Sequence, residues 1–211
     1  MRLYVSHREQ VTEVLGPGRR YALWLQGCKK RCPNCVFPWG QPLHEHGTWV
    51  SVSALLAEIR SAAAAQRLRG LTISGGEPFL QAAALLPLIQ SIREQTALDI
   101  MMYSGYTLAE LRAQKDAAID DILACIDLLV DGEYIESQNT DTAYRGSDNQ
   151  VIHFLSPKYL PYKERMEHLH NRSVEFVTRD IGDVFLIGIP AKAFRAEFLR
   201  AAARRGEERK Q

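Results

Sequence analysis

Tyr21-Ala22-Leu23-Trp24-Leu25-Gln26-Gly27-Cys28-Lys29-Lys30-Arg31-Cys32-Pro33-Asn34-Cys35 is the stretch on which the reading of the fold turns. Its first five residues form an apolar run of strand length, and Gln26-Gly27 leads directly out of it into the cysteines. The cysteines therefore stand on a loop at a strand's carboxyl end. Three of the four cysteines in the chain fall between positions 28 and 35. In a reducing compartment such clustering points to metal ligation more than to a disulfide framework.

Outward from this loop the pattern repeats. After a Gly-, Pro- and His-rich stretch from Gly40 to Gly47, Val52, Leu55, Leu56 and Ile59 recur at helical spacing behind Ser51 or Ser53 as caps. Leu71 to Ser74 reads as a short buried strand, Gly75-Gly76-Glu77-Pro78 as a turn, and Gln81 to Gln95 as an amphipathic helix. Asp99 to Tyr103 is a third strand, followed by helices near Thr107 to Gln114 and Ala118 to Cys125, and Asp127 to Asp131 is a fourth. Alternation of this kind implies parallel strands joined by crossover helices. Beyond Gly132 the rhythm loosens: 133–150 is polar and loop-like, Val151 to Leu155 suits a strand and Tyr162 to His170 a helix. Ser173 to Thr178 and Val184 to Ile189, on either side of the turn-like 179–183, suit either a hairpin or the last two strands of the main sheet. Lys192 to Arg205 reads as a terminal helix with a charged tail.

The chain has 211 residues, against about 250 for a closed barrel of eight strand-helix units. The expected fold is therefore α/β, a partial (β/α)6-type barrel of mainly parallel strands, forming one domain over residues 1–211. Its core lies at about 15–155, with 156–211 less regular. Loops at the carboxyl ends of parallel strands collect ligands. Here those ends bring together the cysteine loop, the Gly75–Pro78 turn and Ser104-Gly105-Tyr106.

The 26 Lys and Arg against 25 Asp and Glu leave a net charge of +1. That balance provides no global field for nucleic acid or an acidic membrane surface. No stretch approaches the roughly 20 apolar residues of a membrane span, and Met1 to Val5 lacks a signal-peptide core. A cytoplasmic location is expected.

Three thiolates on one loop support two chemistries. Structural zinc wants a fourth ligand, for which Cys125, His44 and His46 are available in sequence, although Cys125 lies in an apolar run that suits a core thiol. A 4Fe-4S cluster held by Cys28, Cys32 and Cys35 alone leaves one iron open to a small molecule.

Cys28-x3-Cys32-x2-Cys35 after one strand and Gly75-Gly76-Glu77-Pro78 after the next together resemble the radical S-adenosylmethionine superfamily. The resemblance implies a 4Fe-4S cluster whose open iron is chelated by the methionine part of S-adenosylmethionine. Gly75, Gly76 and Glu77 would take the cofactor's amino group, Ser104 its ribose or carboxylate, and Asp131 is a further candidate at the fourth strand's end. A closer similarity is to glycyl-radical activases of the anaerobic ribonucleotide reductase type. It rests on Leu-Gln-Gly-Cys-x3-Cys-Pro-x-Cys, Leu-Thr-Ile-Ser-Gly-Gly-Glu-Pro-Phe-Leu-Gln, Tyr-Ser-Gly-Tyr-Thr, Leu-Val-Asp-Gly and Arg145-Gly146-Ser147-x-Asn149-Gln150, in that order. Arg145 would position the cofactor or the partner's loop. One electron would cleave the cofactor to methionine and a 5'-deoxyadenosyl radical, which takes hydrogen from a glycine of a partner glycyl-radical enzyme. The alternative substrate is a peptide or a small metabolite.

The chain departs from that pattern in two places. Val36-Phe37-Pro38-Trp39 replaces the His-Asn or Tyr-Asn usual after the third cysteine, and Asn34 stands where many members carry an aromatic residue, leaving Phe37 or Trp39 to meet adenine. The residues after 155 do not follow the activase pattern. Lys29, Lys30 and Arg31 form a basic patch suited to a flavodoxin- or ferredoxin-type electron donor, with Arg19 and Arg20 a second such group. No second cysteine cluster is present for auxiliary centres.

Overall fold

The computed structural model describes residues 1–170, 172–178, 184–194, 196–198 and 200–201. The first strand, β1 (Arg2–Thr12), carries Leu3 and Val5 inward and is otherwise largely polar, which hid it from a reading based on apolar runs. It lies antiparallel between β2 (Arg20–Leu25), buried at every position, and β3 (Thr48–Ser51). β3 passes directly into α1 (Val52–Gln66), where the Ser51 hydroxyl accepts the Ala54 N–H and caps the helix.

The expected alternation follows. β4 (Gly70–Gly75), α2 (Ala82–Gln95), β5 (Asp99–Tyr103), α3 (Leu108–Ala113), α4 (Ala117–Cys125) and β6 (Leu128–Asp131) fall close to the expected bounds. A 3-10 turn at Pro78–Gln81 replaces the first residue of the expected second helix. β7 (Val151–Phe154) closes the sheet, and α5 (Lys163–His168) follows.

The strand order is β3-β1-β2-β4-β5-β6-β7. β2, β4, β5 and β6 run parallel, whereas β1, β3 and β7 are antiparallel additions at the two sides. The α/β class holds, and the sheet is mixed, with its parallel strands in the middle. Registers of Leu25 with Gly75, Ile73 with Met102 and Tyr103 with Val130 align the carboxyl ends of the four parallel strands along one edge.

Side-chain alternation then divides the core. Leu23, Leu71, Ile73 and Leu129 face the helices, together with Leu55 of α1 and Leu85 of α2. On the opposite face, Met101, Val130 and Ile152 meet Tyr159 and Met166, while Leu15, Ala22 and Trp24 meet Ile187. Residues after 155 thus cover this second face. β8 (Val174–Thr178) and β9 (Val184–Gly188) pair antiparallel in a sheet of their own, which settles the open choice in favour of a hairpin-like pair. Its turn at 179–183 and the charged tail beyond 201 lie outside the described residues. Residues 192–194, 196–198 and 200–201 are helical, and no helix among the described residues is long and apolar enough to cross a membrane.

Arg20 does not form a docking patch. At the amino end of β2 its guanidinium is fully buried against Asp99 (2.6 Å), donates to Thr72 Oγ1 (2.6 Å) and reaches the Leu71 carbonyl (2.9 Å). Tyr159 donates to the same Asp99 at 2.7 Å, tying the C-terminal segment beneath the sheet.

Candidate metal and cofactor site

Beyond β2 the chain makes a loop that closes on its own start. The Gly27 N–H donates to the Gly40 carbonyl (2.8 Å) and the Cys28 N–H to that of Gln41 (3.0 Å). The Gln26 side-chain amide donates to the carbonyls of Trp39 and Pro42. Within the loop Arg31 and Asn34 take left-handed backbone angles, φ 52° and 55°, and the Cys35 N–H turns back to the Cys32 carbonyl. The short tether holding the three thiols is thereby strongly bent.

The Cys35 sulfur accepts the Phe37 N–H at 3.4 Å, and the backbone N–H groups of Lys30 and Arg31 near Cys28, and of Tyr134 near Cys32, favour the charged form of those thiols. Such donors stabilise sulfur that carries negative charge, as in a thiolate or cluster ligand. Burial is the larger influence on Cys28 and Cys32 and pushes both thiols up, so a metal must displace their protons. Among the described residues no three His, Cys, Asp or Glu side chains are gathered as a preformed metal group. Three thiolates on one loop fit a cluster that leaves one iron open, and Cys125, the fourth thiol of the chain, is not brought to them. Cys125 ends α4 against the helical core, before the amino end of β6 and so at the opposite edge from the loop, and His44 and His46 are exposed.

The Gly75-Gly76-Glu77 turn is packed into this loop. The Gly76 N–H donates to the Leu25 carbonyl and the Glu77 N–H to that of Gly27, both at 2.8 Å. Gly75 has φ +119°, and a Cβ there would lie 2.2 Å from the Leu25 oxygen; one on Gly76 would lie 2.2 Å from the Gly27 oxygen. The glycines are needed so that the two turns can interlock.

Glu77 is fully buried beneath this junction. Its carboxylate accepts from Gly105 N (2.7 Å), Phe79 N (3.1 Å) and the Ser104 hydroxyl (3.0 and 3.1 Å). Burial pushes its pKa up to about 7, while these hydrogen bonds and Lys30 pull the other way. The structure thus joins Glu77 and Ser104 directly and seats both against the cysteine loop.

The remaining residues singled out in the sequence are placed differently. Asn34 donates to Glu136 at 2.7 Å. Phe37 is half-buried against Leu15, Ala22, Trp24 and Ile187, and with Trp24, Pro38, Trp39, Phe185 and Ile187 it lines a cleft of about 580 Å³. Asp131 receives the Leu108 N–H at the start of α3 and lies 2.8 Å from His153. Arg145 donates to the carbonyls of Gln150 and Glu167. Lys29 and Arg31 are exposed, whereas Lys30 is turned inward: it pairs with Glu133 (2.9 Å) and Glu110 (3.2 Å) and lies 4.5 Å above the Tyr106 ring. The basic patch on the loop therefore reduces to two residues. Glu133, Tyr134 and Glu136, which grip the loop from more than 100 positions away, carried no local signal of that role.

A family model described as a 4Fe-4S single cluster domain matches residues 14–153. The chain belongs to this 4Fe-4S single-cluster family. The anaerobic ribonucleoside-triphosphate reductase-activating protein of Vibrio cholerae is 36% identical over 146 residues, covering 66% of this chain and 90% of that protein. Those of Haemophilus influenzae and Escherichia coli K12 are 34% and 32% identical over 155 and 152 residues, each covering 67% of this chain and 92% of the relative. Together with the motifs these matches bear out a radical S-adenosylmethionine enzyme of the activase type, with a 4Fe-4S cluster and S-adenosylmethionine as its cofactors. Within this single-cluster family the match ends at 153, so α5 and the β8–β9 pair lie beyond the shared part.

Proposed function

We propose that the protein installs a glycyl radical on a large partner enzyme of the anaerobic ribonucleotide reductase type. The observation that carries this reading is the interlock of the Cys28–Cys35 loop with the Gly75–Glu77 turn, inside the segment matched by the 4Fe-4S single cluster family. We read residues 1–211 as one radical S-adenosylmethionine domain built on a partial barrel and acting in the cytoplasm.

In this reading Cys28, Cys32 and Cys35 hold the cluster. When bound, the cluster and S-adenosylmethionine supply one-electron cleavage to methionine and a 5'-deoxyadenosyl radical, which takes a hydrogen atom from the partner's glycine. The chain's own residues bind and orient. Gly75, Gly76 and Ser104 meet the amino-acid part of the cofactor, and Glu77, its oxygens occupied by Phe79, Ser104 and Gly105, provides negative charge from beneath the edge. Phe37 sits at the adenine side with Asn34, next to the apolar cleft that it lines. Asp131 and Arg145 hold the outer loops of the site. Lys29 and Arg31 face an acidic flavodoxin- or ferredoxin-type donor.

The test is anaerobic reconstitution with iron and sulfide, reduction, and addition of S-adenosylmethionine, with and without an anaerobic reductase encoded beside the gene. A brown protein forming 5'-deoxyadenosine, and a glycyl doublet in paramagnetic resonance only when the reductase is present, are expected. Cys32→Ala abolishes both. Cofactor cleavage without a glycyl signal on the reductase, but with modification of a peptide or metabolite, overturns the assignment of the partner.

A further inference from the structure

We propose that Arg172, which lies beyond the family match, is a positioning residue that holds the cysteine loop through two intervening polar loops. The proposal rests on the reading of that loop as the cluster site.

Arg172 has only 3% of its side chain exposed. A guanidinium has five N–H donors in a planar fork, and burying it is costly unless they are used. Here Nε donates to the Thr142 carbonyl (3.0 Å), and Nη1 donates to Asn139 Oδ1 (2.8 Å) and the Pro190 carbonyl (3.3 Å). Nη2 donates to the carbonyls of Arg145 and Gly146, and Asp141 lies 3.5 Å from Nη1. One side chain thus fixes both ends of 139–146 and ties them to the residues after β9.

The segment held in this way grips the next. The Gly146 N–H donates to Gln150 Oε1 (2.6 Å), and Gln150 Nε2 donates to the Gly132 carbonyl (2.7 Å). Ser147 Oγ accepts the Ile135 N–H (3.0 Å), and Asn149 Nδ2 donates to the Glu133 carbonyl (2.8 Å). Residues 133–136 in turn hold the cysteine loop: Glu133 pairs with Lys30 at 2.9 Å, and Glu136 accepts from the Asn34 side chain at 2.7 Å. Between β6 and β7 the only regular piece is a three-residue 3-10 turn at Glu136–Gln138, so side-chain contacts must supply the order that a helix or strand supplies elsewhere. Arg172 is the outermost and most heavily bonded of these contacts.

Hydrogen exchange on the metal-free protein tests this without any cluster. In Arg172→Ala, amides at 132–150 and at 28–36 are expected to exchange about tenfold faster, while those of β4 and β5 stay unchanged. In the reconstituted protein the cluster should be lost to a chelator about fivefold faster. Arg172→Lys, whose three donors cannot meet five planar acceptors, should fall between. Arg93→Ala removes a half-buried ion pair with Asp127 at the other edge of the sheet and should move neither readout. Faster exchange confined to 139–146, with 28–36 and cluster lifetime unchanged, overturns the proposal. If Arg172→Ala also loosens β4 and β5, Arg172→Lys decides by the same criteria. Failure of the wild type to take up iron sinks the cluster reading but leaves the exchange result standing.

Discussion

Glu77 shows how a single buried carboxylate can hold a site together and still weaken the fold. Its carboxyl titrates at about 7 in the fold against an ordinary value of 4.5, chiefly because burial removes water from the charged form. Between these values the folded protein keeps a proton that the unfolded chain has released, so stability falls as pH rises from about 4.5 to 7 and then levels off. The loss is bounded at about 3 kcal/mol by the size of the shift. Denaturant unfolding of the metal-free protein at pH 5 and pH 7.5 should show a drop of this sign that is much smaller in Glu77→Gln. At Gly75 and Gly76 the constraint is steric. Alanine at either should cost roughly 2–4 kcal/mol through backbone collision and, at Gly75, a positive φ. A shift in denaturation midpoint measures it. Both glycines and Glu77 were legible as a motif. That Glu77 points inward, and that the glycines meet another turn, was not legible, because both depend on the partner strand.

The elements read most accurately are the central strands, buried on both faces, and a helix whose apolar stripe packs against them. β4, β5, α4 and β6 follow apolar runs whose ends coincide with Gly, Asp or Thr signals. β1 and β3 were missed because one is polar over much of its length and the other buries none of its residues; each is a strand only because a neighbour supplies its hydrogen bonds. The six-residue α3 likewise depends on its start. Thr107 and Glu110 form a capping box, and Asp131 receives the Leu108 N–H. Asp131→Ala should therefore cost roughly 1–3 kcal/mol in thermal or chemical unfolding. Cofactor affinity measured by calorimetry should change by no more than about twofold, since loss of a helix cap leaves the Gly75–Ser104 edge intact.

Across the whole molecule, the Arg20–Asp99 pair joins β2, β4 and β5 to Tyr159 at the edge opposite the cysteine loop. Asp99→Ala leaves a fully buried guanidinium without its counter-charge and should cost about 3–5 kcal/mol in denaturant unfolding, whereas the paired change Arg20→Met with Asp99→Leu should recover most of that loss. Arg20 had the sequence neighbourhood of a surface patch, and only assembly buried it. The sequence by itself determined the α/β alternation and the placing of the three clustered cysteines on a loop at one edge of the sheet, because apolar runs, turn residues and cysteine spacing act over a few positions. The tertiary structure alone decided the antiparallel flanks, the covering of the second face by residues after 155, the inward turn of Lys30 and Glu77, and the grip of Arg172 and Glu133 on distant loops. Those depend on pairings between residues far apart in the chain, which no local pattern encodes.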